Sequence, residues 1–267
     1  MKNNSVITVK KGQEHRREFI KLFKELLGKY SNWQVWQDFI SMAAAALSQP
    51  TNFRQDREAQ YMNIISKYNK KEQELFPKML AEIVLAFEQE KFADILGDMY
   101  MEMDLGNHWR GQFFTPYCVC RMMSEVTVGN IKPLIDEKGY ISVNDSCCGA
   151  GATLIAFAES AYKQEVNFQQ SVLFAAQDVD SVVAKMCYIQ MSLLGMAGYV
   201  IIGNTITADV KNYDYWYTPM YFSDIWHWRR TFQKVCELTK ETRPEPKQQV
   251  YDIVLNERDD GQLMLAV

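Results

Sequence analysis

Histidine is scarce and cysteine is unorganised in this chain, which has three histidines and six cysteines in 267 residues. Cys118, Cys120, Cys147, Cys148, Cys187 and Cys236 include a C-x-C and an adjacent pair, yet neither zinc-ligand spacing nor a disulfide framework is evident. Buried thiols in a reducing compartment are the expectation, with no metal. Long apolar runs are lacking too. None approaches the roughly 20 residues of a membrane span, and the opening MKNNSVITVKKGQEHRR has no apolar core of the kind that marks a secretory signal. The expected location is the cytoplasm. Nor does charge of one sign dominate: 29 Lys and Arg against 33 Asp and Glu leave a net charge of −4. Nothing in that balance draws the whole chain to nucleic acid, so a DNA contact requires a local basic face. Lys10, Lys11, Arg16, Arg17, Lys21 and Lys24 form the best candidate, and a solvated face of the first helix is the plainer alternative. No internal repeat or low-complexity segment is found.

What is present is a large apolar content, 48% hydrophobic, enough to bury a core in one large domain or two smaller ones. The chain has two textures. From Gly12 to about Leu105, apolar residues recur at three- and four-residue intervals, which predicts a bundle of about five helices. Ser31 or Asn32 is placed to cap the second helix, Pro50 follows its end, and Trp33, Trp36 and Phe39 share one helical face as core. After Gly111, short β-type runs (YISVN, SVLFAAQ, YVIIG, YDIVL) alternate with helical segments (ATLIAFAESAYKQ, DSVVAKMCYIQMSLLGM). That alternation is the pattern of βαβ units and a parallel sheet. The expected division is a helical N-terminal domain over 1–110 and an α/β domain over 111–267. Lys240 to Gln249, KETRPEPKQQ, is the one linker-like stretch.

In an open α/β sheet a ligand sits beyond the carboxyl ends of the strands, where glycines let it approach the backbone. YISVN runs into DSCCGAGATL, so Gly149 and Gly151 suit that role, although a tight packing turn needs the same residues. Asp145 ends the strand, where its carboxylate can accept from a cationic amine or from loop amides. The second strand ends in Asp178 and Asp180, and one acid at that place can take both hydroxyls of a ribose. The third ends in GYVIIGNTI, where the amide of Asn204 can read a base edge.

The order GQFFTP (111 to 116), DSCCGAGATL, AAQDVD and IIGNTI resembles the S-adenosylmethionine-binding half of the adenine-N6 DNA methyltransferases. The likeness is greatest to modification subunits of type I restriction systems, and it extends in kind to the helical N-terminal domain. It implies a Rossmann-like methyltransferase sheet, S-adenosylmethionine as cofactor, DNA as partner and a specificity or completing subunit as a possible protein partner. It further implies that Phe113, Thr115 and Pro116 line the cofactor pocket, that Asp145, Gly149 and Gly151 hold the amino-acid moiety, and that Asp178 binds the ribose. The same resemblance implies that Val179 packs against the adenine ring and that Asn204 meets its edge, where the family usually has an acid. Thr115-Pro116 also suits the N-cap and first position of a helix.

In that family a fourth strand leads into an Asn-Pro-Pro-aromatic loop that holds a flipped adenine in line with the methyl group. YDIVL is the expected fourth strand, parallel to the others in the order 3-2-1-4, but Asn256, Glu257, Arg258 and Asp259 follow it, without proline or aromatic ring. Asn256 is the remaining catalytic candidate, and methyl transfer by this chain alone is expected to be defective. Asp260-Gly261 can turn the chain so that Leu263 to Val267 folds back beside YDIVL. An aromatic-rich insert at about 209–250 carries Tyr215, Trp216, Tyr217, Tyr221, Phe222, Trp226 and Trp228 beside Arg229 and Arg230. These rings form a base-stacking platform, a partner surface in a non-enzymatic protein, or part of the core.

Overall fold

The computed structural model describes residues 2–105, 114–207, 213–229, 255–257 and 263–265. Helices α1 (Lys2–Glu25), α2 (Asn32–Ser48), α3 (Gln55–Ile65), α4 (Lys70–Gln73), α5 (Leu75–Gln89) and α6 (Ile95–Glu102) fill the stretch that the periodicity assigns to helix. Ser31 caps α2, its Oγ accepting from the Gln34 N–H at 3.2 Å. Trp36 and Phe39 are buried and pack edge-on against Phe19 of α1, with ring centroids 6.1 and 5.0 Å away. Trp33, in the first turn, falls at the margin of that stripe and remains 39% exposed.

Arg16 does not belong to a free basic face. It reaches Glu90 at 2.6 Å and Asp98 at 3.2 Å, while His15 meets Glu82 at 2.7 Å. These contacts hold α1 against α5 and α6, so Arg16 belongs to neither a DNA-binding face nor a solvated one, while Arg17, Lys21 and Lys24 are exposed. The side chains of Lys10 and Lys11 lie outside the described part.

Beyond the bundle come α7 (Tyr117–Thr127), α8 (Lys132–Lys138), β1 (Ile141–Asp145), α9 (Ala152–Lys163), α10 (Phe168–Ser171), β2 (Val172–Asp178), α11 (Ser181–Leu193), β3 (Gly198–Ile202) and β4 (Asp214–Tyr217). β1, β2 and β3 are parallel neighbours in the expected order. The described sheet has a further strand that the sequence did not announce, β4, antiparallel on the far side of β3, with Val200 opposite Trp216. Its position follows from the burial of Trp216, whose ring meets Tyr188 of α11 at 5.3 Å. Residues 251–254 of YDIVL lie outside the described residues.

The chain divides into two compact units, Met1–His227 and Trp228–Val267; within the first, the expected helical stretch and the α/β stretch are not separated. The reason is that helices and sheet share one buried cluster running from Phe19 to Trp216, to which α2 and α11 both contribute. In the second unit β5 (Leu255–Glu257) pairs with β6 (Leu263–Leu265), Leu255 opposite Leu265, which is the antiparallel fold-back expected there. Cys118 and Cys147 are exposed, against the expectation of buried thiols, while Cys120, Cys148 and Cys187 are buried. Among the described residues no helix is long and apolar enough to cross a membrane, and no cluster of metal ligands is found.

One charged side chain closes the β4 edge. Arg57 of α3, only 3% exposed, lies 3.6 Å over the Trp216 ring and donates to the Tyr215 carbonyl at 2.7 Å and to Asp214 at 3.2 Å. Its Nε and Nη1 have no partner, and burial pushes its pKa down. Asp214 also holds Arg54 at 3.2 Å and the Trp216 indole N–H at 2.7 Å, so it stays paired without Arg57. Removing a poorly satisfied buried cation while keeping its stem is often close to neutral. Arg57→Met is therefore expected to change unfolding free energy by no more than about 1 kcal/mol, whereas Arg57→Ala, which also opens a cavity over the indole, costs about 2–4 kcal/mol in urea melts.

Candidate functional site

The turn between β1 and α9 is shaped by two glycines in left-handed conformation, Gly149 (φ +55°) and Gly151 (φ +97°). Gly151 is required for packing as well, since a Cβ there would lie 2.8 Å from the Cys187 sulfur. Gly149 does different work: its N–H donates to Asp178 Oδ2 at 3.0 Å and so ties the loop to the end of β2. The other oxygen of Asp178 accepts from the Asp180 N–H at 2.9 Å. Asp180 itself caps α11, accepting from the amides of Val182 and Val183, which separates the two acids into a helix cap and a residue of the cavity wall. Asp145 accepts from the Cys147 N–H at 3.1 Å and from the Thr153 hydroxyl.

These groups line a cavity of ≈ 230 Å³ together with Phe114, Thr115, Cys120, Cys148 and, from the helical part, Asp94. Asp94 is 2% exposed. Its Oδ1 accepts from the Gly97 N–H at 3.0 Å and from Gln190 Nε2 at 2.7 Å. Gln190 is itself fully engaged, donating a second time to the Ala150 carbonyl at 2.8 Å and accepting from the Leu96 N–H at 3.0 Å. No lysine, arginine or histidine is among the described residues of the lining, so three carboxylates share the cavity without a cation. Burial pushes the Asp94 carboxyl up to about 6 and raises that of Asp178, against the pull of the amides that bond to it.

The structure thus brings Thr115, Asp145, Gly149 and Asp178 to one cavity, with Gly151 behind the turn. Val179, next to Asp178, is 69% exposed. Pro116 is the N-cap of α7, so the helix starts one residue later than the Thr-Pro pair predicts, and Pro116 is not in the lining. Asn204 also lies outside it, its Oδ1 accepting from the Ile206 N–H at 2.9 Å. Phe113 lies outside the described residues, while its neighbour Phe114 packs at 5.2 Å on Tyr100. Asn256 sits within β5 of the second unit, opposite Met264. Asp94 and Gln190 were missed by sequence reasoning. The one signal for Asp94 was an acid three residues before Gly97 at a helix start, which reads as a cap and no more.

The described aromatic residues of the insert split by face. Trp216 and Trp226 are buried, the latter with its indole N–H on the Gln169 carbonyl at 2.8 Å. On the other face of β4 half-buried tyrosines stack, Tyr215 on Tyr217 at 6.1 Å and Tyr217 on Tyr221 at 4.9 Å. Trp216 completes the core, as one of the three sequence readings has it, whereas Trp228 is 61% exposed.

The Asp94 shift makes stability depend on pH with a definite sign. Between the ordinary value of 3.8 and about 6 the folded protein keeps a proton that the unfolded chain has released, so stability falls as pH rises through that window. The fall is complete above about pH 6 and amounts to about 3 kcal/mol at most. Asp178 acts in the same direction, so the readout is a difference: urea melts from pH 4 to 7 are expected to show Asp94→Asn gaining on the unaltered protein as pH rises.

Among solved structures this chain is similar, at 15% identity, to one from Listeria monocytogenes described as a class I S-adenosylmethionine-dependent methyltransferase and to one from Streptococcus thermophilus described as a type I restriction-modification methyltransferase subunit. They cover 70% and 77% of this chain with TM-scores of 0.37 and 0.32, and the chain spans 52% and 54% of their lengths. No curated protein matches. The family described as N-6 DNA Methylase matches residues 91–254, well over half of the sequence, and the chain belongs to that family.

Proposed function

We propose that this chain is the cofactor-binding part of a DNA adenine-N6 methyltransferase and binds S-adenosylmethionine in the cavity at the carboxyl ends of β1 and β2. The carrying observation is the charge of that cavity, with Asp94, Asp145 and Asp178 in its walls and no basic residue among those described. Such a site disfavours a phosphate-bearing nucleotide and suits a nucleoside that carries positive charge. S-adenosylmethionine has a sulfonium and an ammonium, and when bound it supplies an activated methyl group.

In this reading Asp178, already oriented by two backbone amides, takes the ribose hydroxyls, and Val179 offers its exposed side chain to the adenine ring. Thr115, Asp145 and the Gly149 turn enclose the amino-acid end. Asn204 has its oxygen committed to the turn that follows, which leaves Nδ2 as the atom to donate to a ring nitrogen. Calorimetry is expected to show binding of S-adenosylmethionine by the purified chain, and Asp178→Ala is expected to weaken it by about 1–3 kcal/mol. Unchanged affinity in that variant would remove Asp178 from the site.

DNA is the proposed substrate, and a specificity or completing subunit is the proposed protein partner. Methyl transfer by this chain alone is not expected. Asn256 provides one amide, but Glu257, Arg258 and Asp259 supply neither the rigid turn of a proline pair nor a ring to stack on a flipped base. Tritiated-methyl incorporation into mixed-sequence DNA should stay at background for the isolated chain and rise only when cell extract is added. Transfer by the isolated chain that is lost in Asn256→Ala would overturn this and make Asn256 catalytic.

A further inference from the structure

Hydrogen bonding divides the three carboxylates of the cavity unequally. Both oxygens of Asp145 and both of Asp178 already accept from donors of the protein itself. Asp94 Oδ1 likewise takes Gly97 N–H and Gln190 Nε2, whereas among the described residues no donor reaches Asp94 Oδ2. That oxygen belongs to a side chain 98% buried that lines the cavity. An unpaired carboxylate oxygen in such surroundings calls for a charged donor. A sulfonium has no hydrogen to donate, but an ammonium has three.

We propose that Asp94, contributed by the helical part of the chain, is a further cofactor-binding residue whose Oδ2 receives the ammonium of the methionine moiety. The inference rests on the reading of this cavity as an S-adenosylmethionine site. It makes α6 a working wall of that site, because the same carboxylate caps α6 through Gly97 and is fixed to the glycine turn through Gln190. The neighbouring charges do not supply the missing partner. Arg16 of α1 is spent on Glu90 and Asp98, Asp98 of α6 repels, and the Cys120 thiol of α7 is held protonated by burial. Asp145 and Asp178, across the cavity, add negative charge and no donor.

The test compares two ligands that share the nucleoside, S-adenosylmethionine and 5′-methylthioadenosine, which lacks the amino-acid end and has a neutral thioether in place of the sulfonium. S-adenosylhomocysteine, a thioether that keeps the ammonium, separates the two charges and is expected to lose affinity as S-adenosylmethionine does. Asp94→Asn keeps an acceptor for Gly97 and Gln190 but turns an amide donor toward the cavity. By calorimetry at pH 7 the variant is expected to lose about 10- to 100-fold in affinity for S-adenosylmethionine and less than about twofold for 5′-methylthioadenosine. Equal losses for both ligands would assign Asp94 a purely structural role, and no loss for either would remove it from the site; both overturn the inference while leaving the cofactor reading intact. Failure of the unaltered chain to bind either ligand would overturn that reading and the inference with it. A measurement on the unaltered protein needs no variant: between pH 7 and pH 5 the ratio of the two affinities is expected to shift against S-adenosylmethionine as Asp94 protonates, and a constant ratio would also overturn the inference. Asp178 serves the ribose common to both ligands and cancels from the ratio.

Discussion

The contact on which the rest of this structure depends is the hydrogen-bonded node of Gln190. One side chain, wholly buried, satisfies the Leu96 amide at the start of α6, the Asp94 carboxylate beside it and the Ala150 carbonyl of the glycine turn. A buried amide that saturates three partners on two distant segments fixes their separation within the tolerance of a hydrogen bond. Helical bundle and sheet are thereby held as one body, which is why a single buried cluster runs through both. The cavity inherits its shape from this node, since Asp94 on one side and the turn on the other are both anchored by it.

Much of the α/β part was legible in the sequence because it rests on local rules. β1, β2 and β3 lie on the runs that β-propensity and apolar length mark out, and Asp145 and Asp178 were recognisable as the last residues of strands that run into helices. Asp178 could be told from Asp180 only in three dimensions, where one caps α11 and the other faces the turn. β4 escaped because DYWY is short and aromatic, and its pairing is decided by the burial of Trp216 against Tyr188 and Arg57 rather than by any pattern in the chain. Asp94 escaped for a related reason: a helix cap and a site residue look alike until the partner from α11 is in place.

Charge is placed in this protein according to what can answer it. On the α1–α5 seam Arg16 and His15 face Glu90, Asp98 and Glu82, and the pairs close on themselves. At the β4 edge Arg57 is only partly answered, yet its guanidinium caps a strand carbonyl that would otherwise invite another chain to pair. In the cavity three acids go unanswered by any described basic residue. The first arrangement is structural, the second protects an edge, and the third is the one that the proposed cationic cofactor would complete.

Gln190 and Asp94 are 96 residues apart in sequence. Closing so long a loop is slow compared with forming helices whose contacts are local, and its entropy must be offset by contacts that exist only once both ends have met. The bundle can therefore condense early, including during synthesis, whereas the ligand cavity comes into being only after α11 has emerged and docked. Competence to bind thus arrives late in folding, as a property of the assembled chain and of neither half of the node alone.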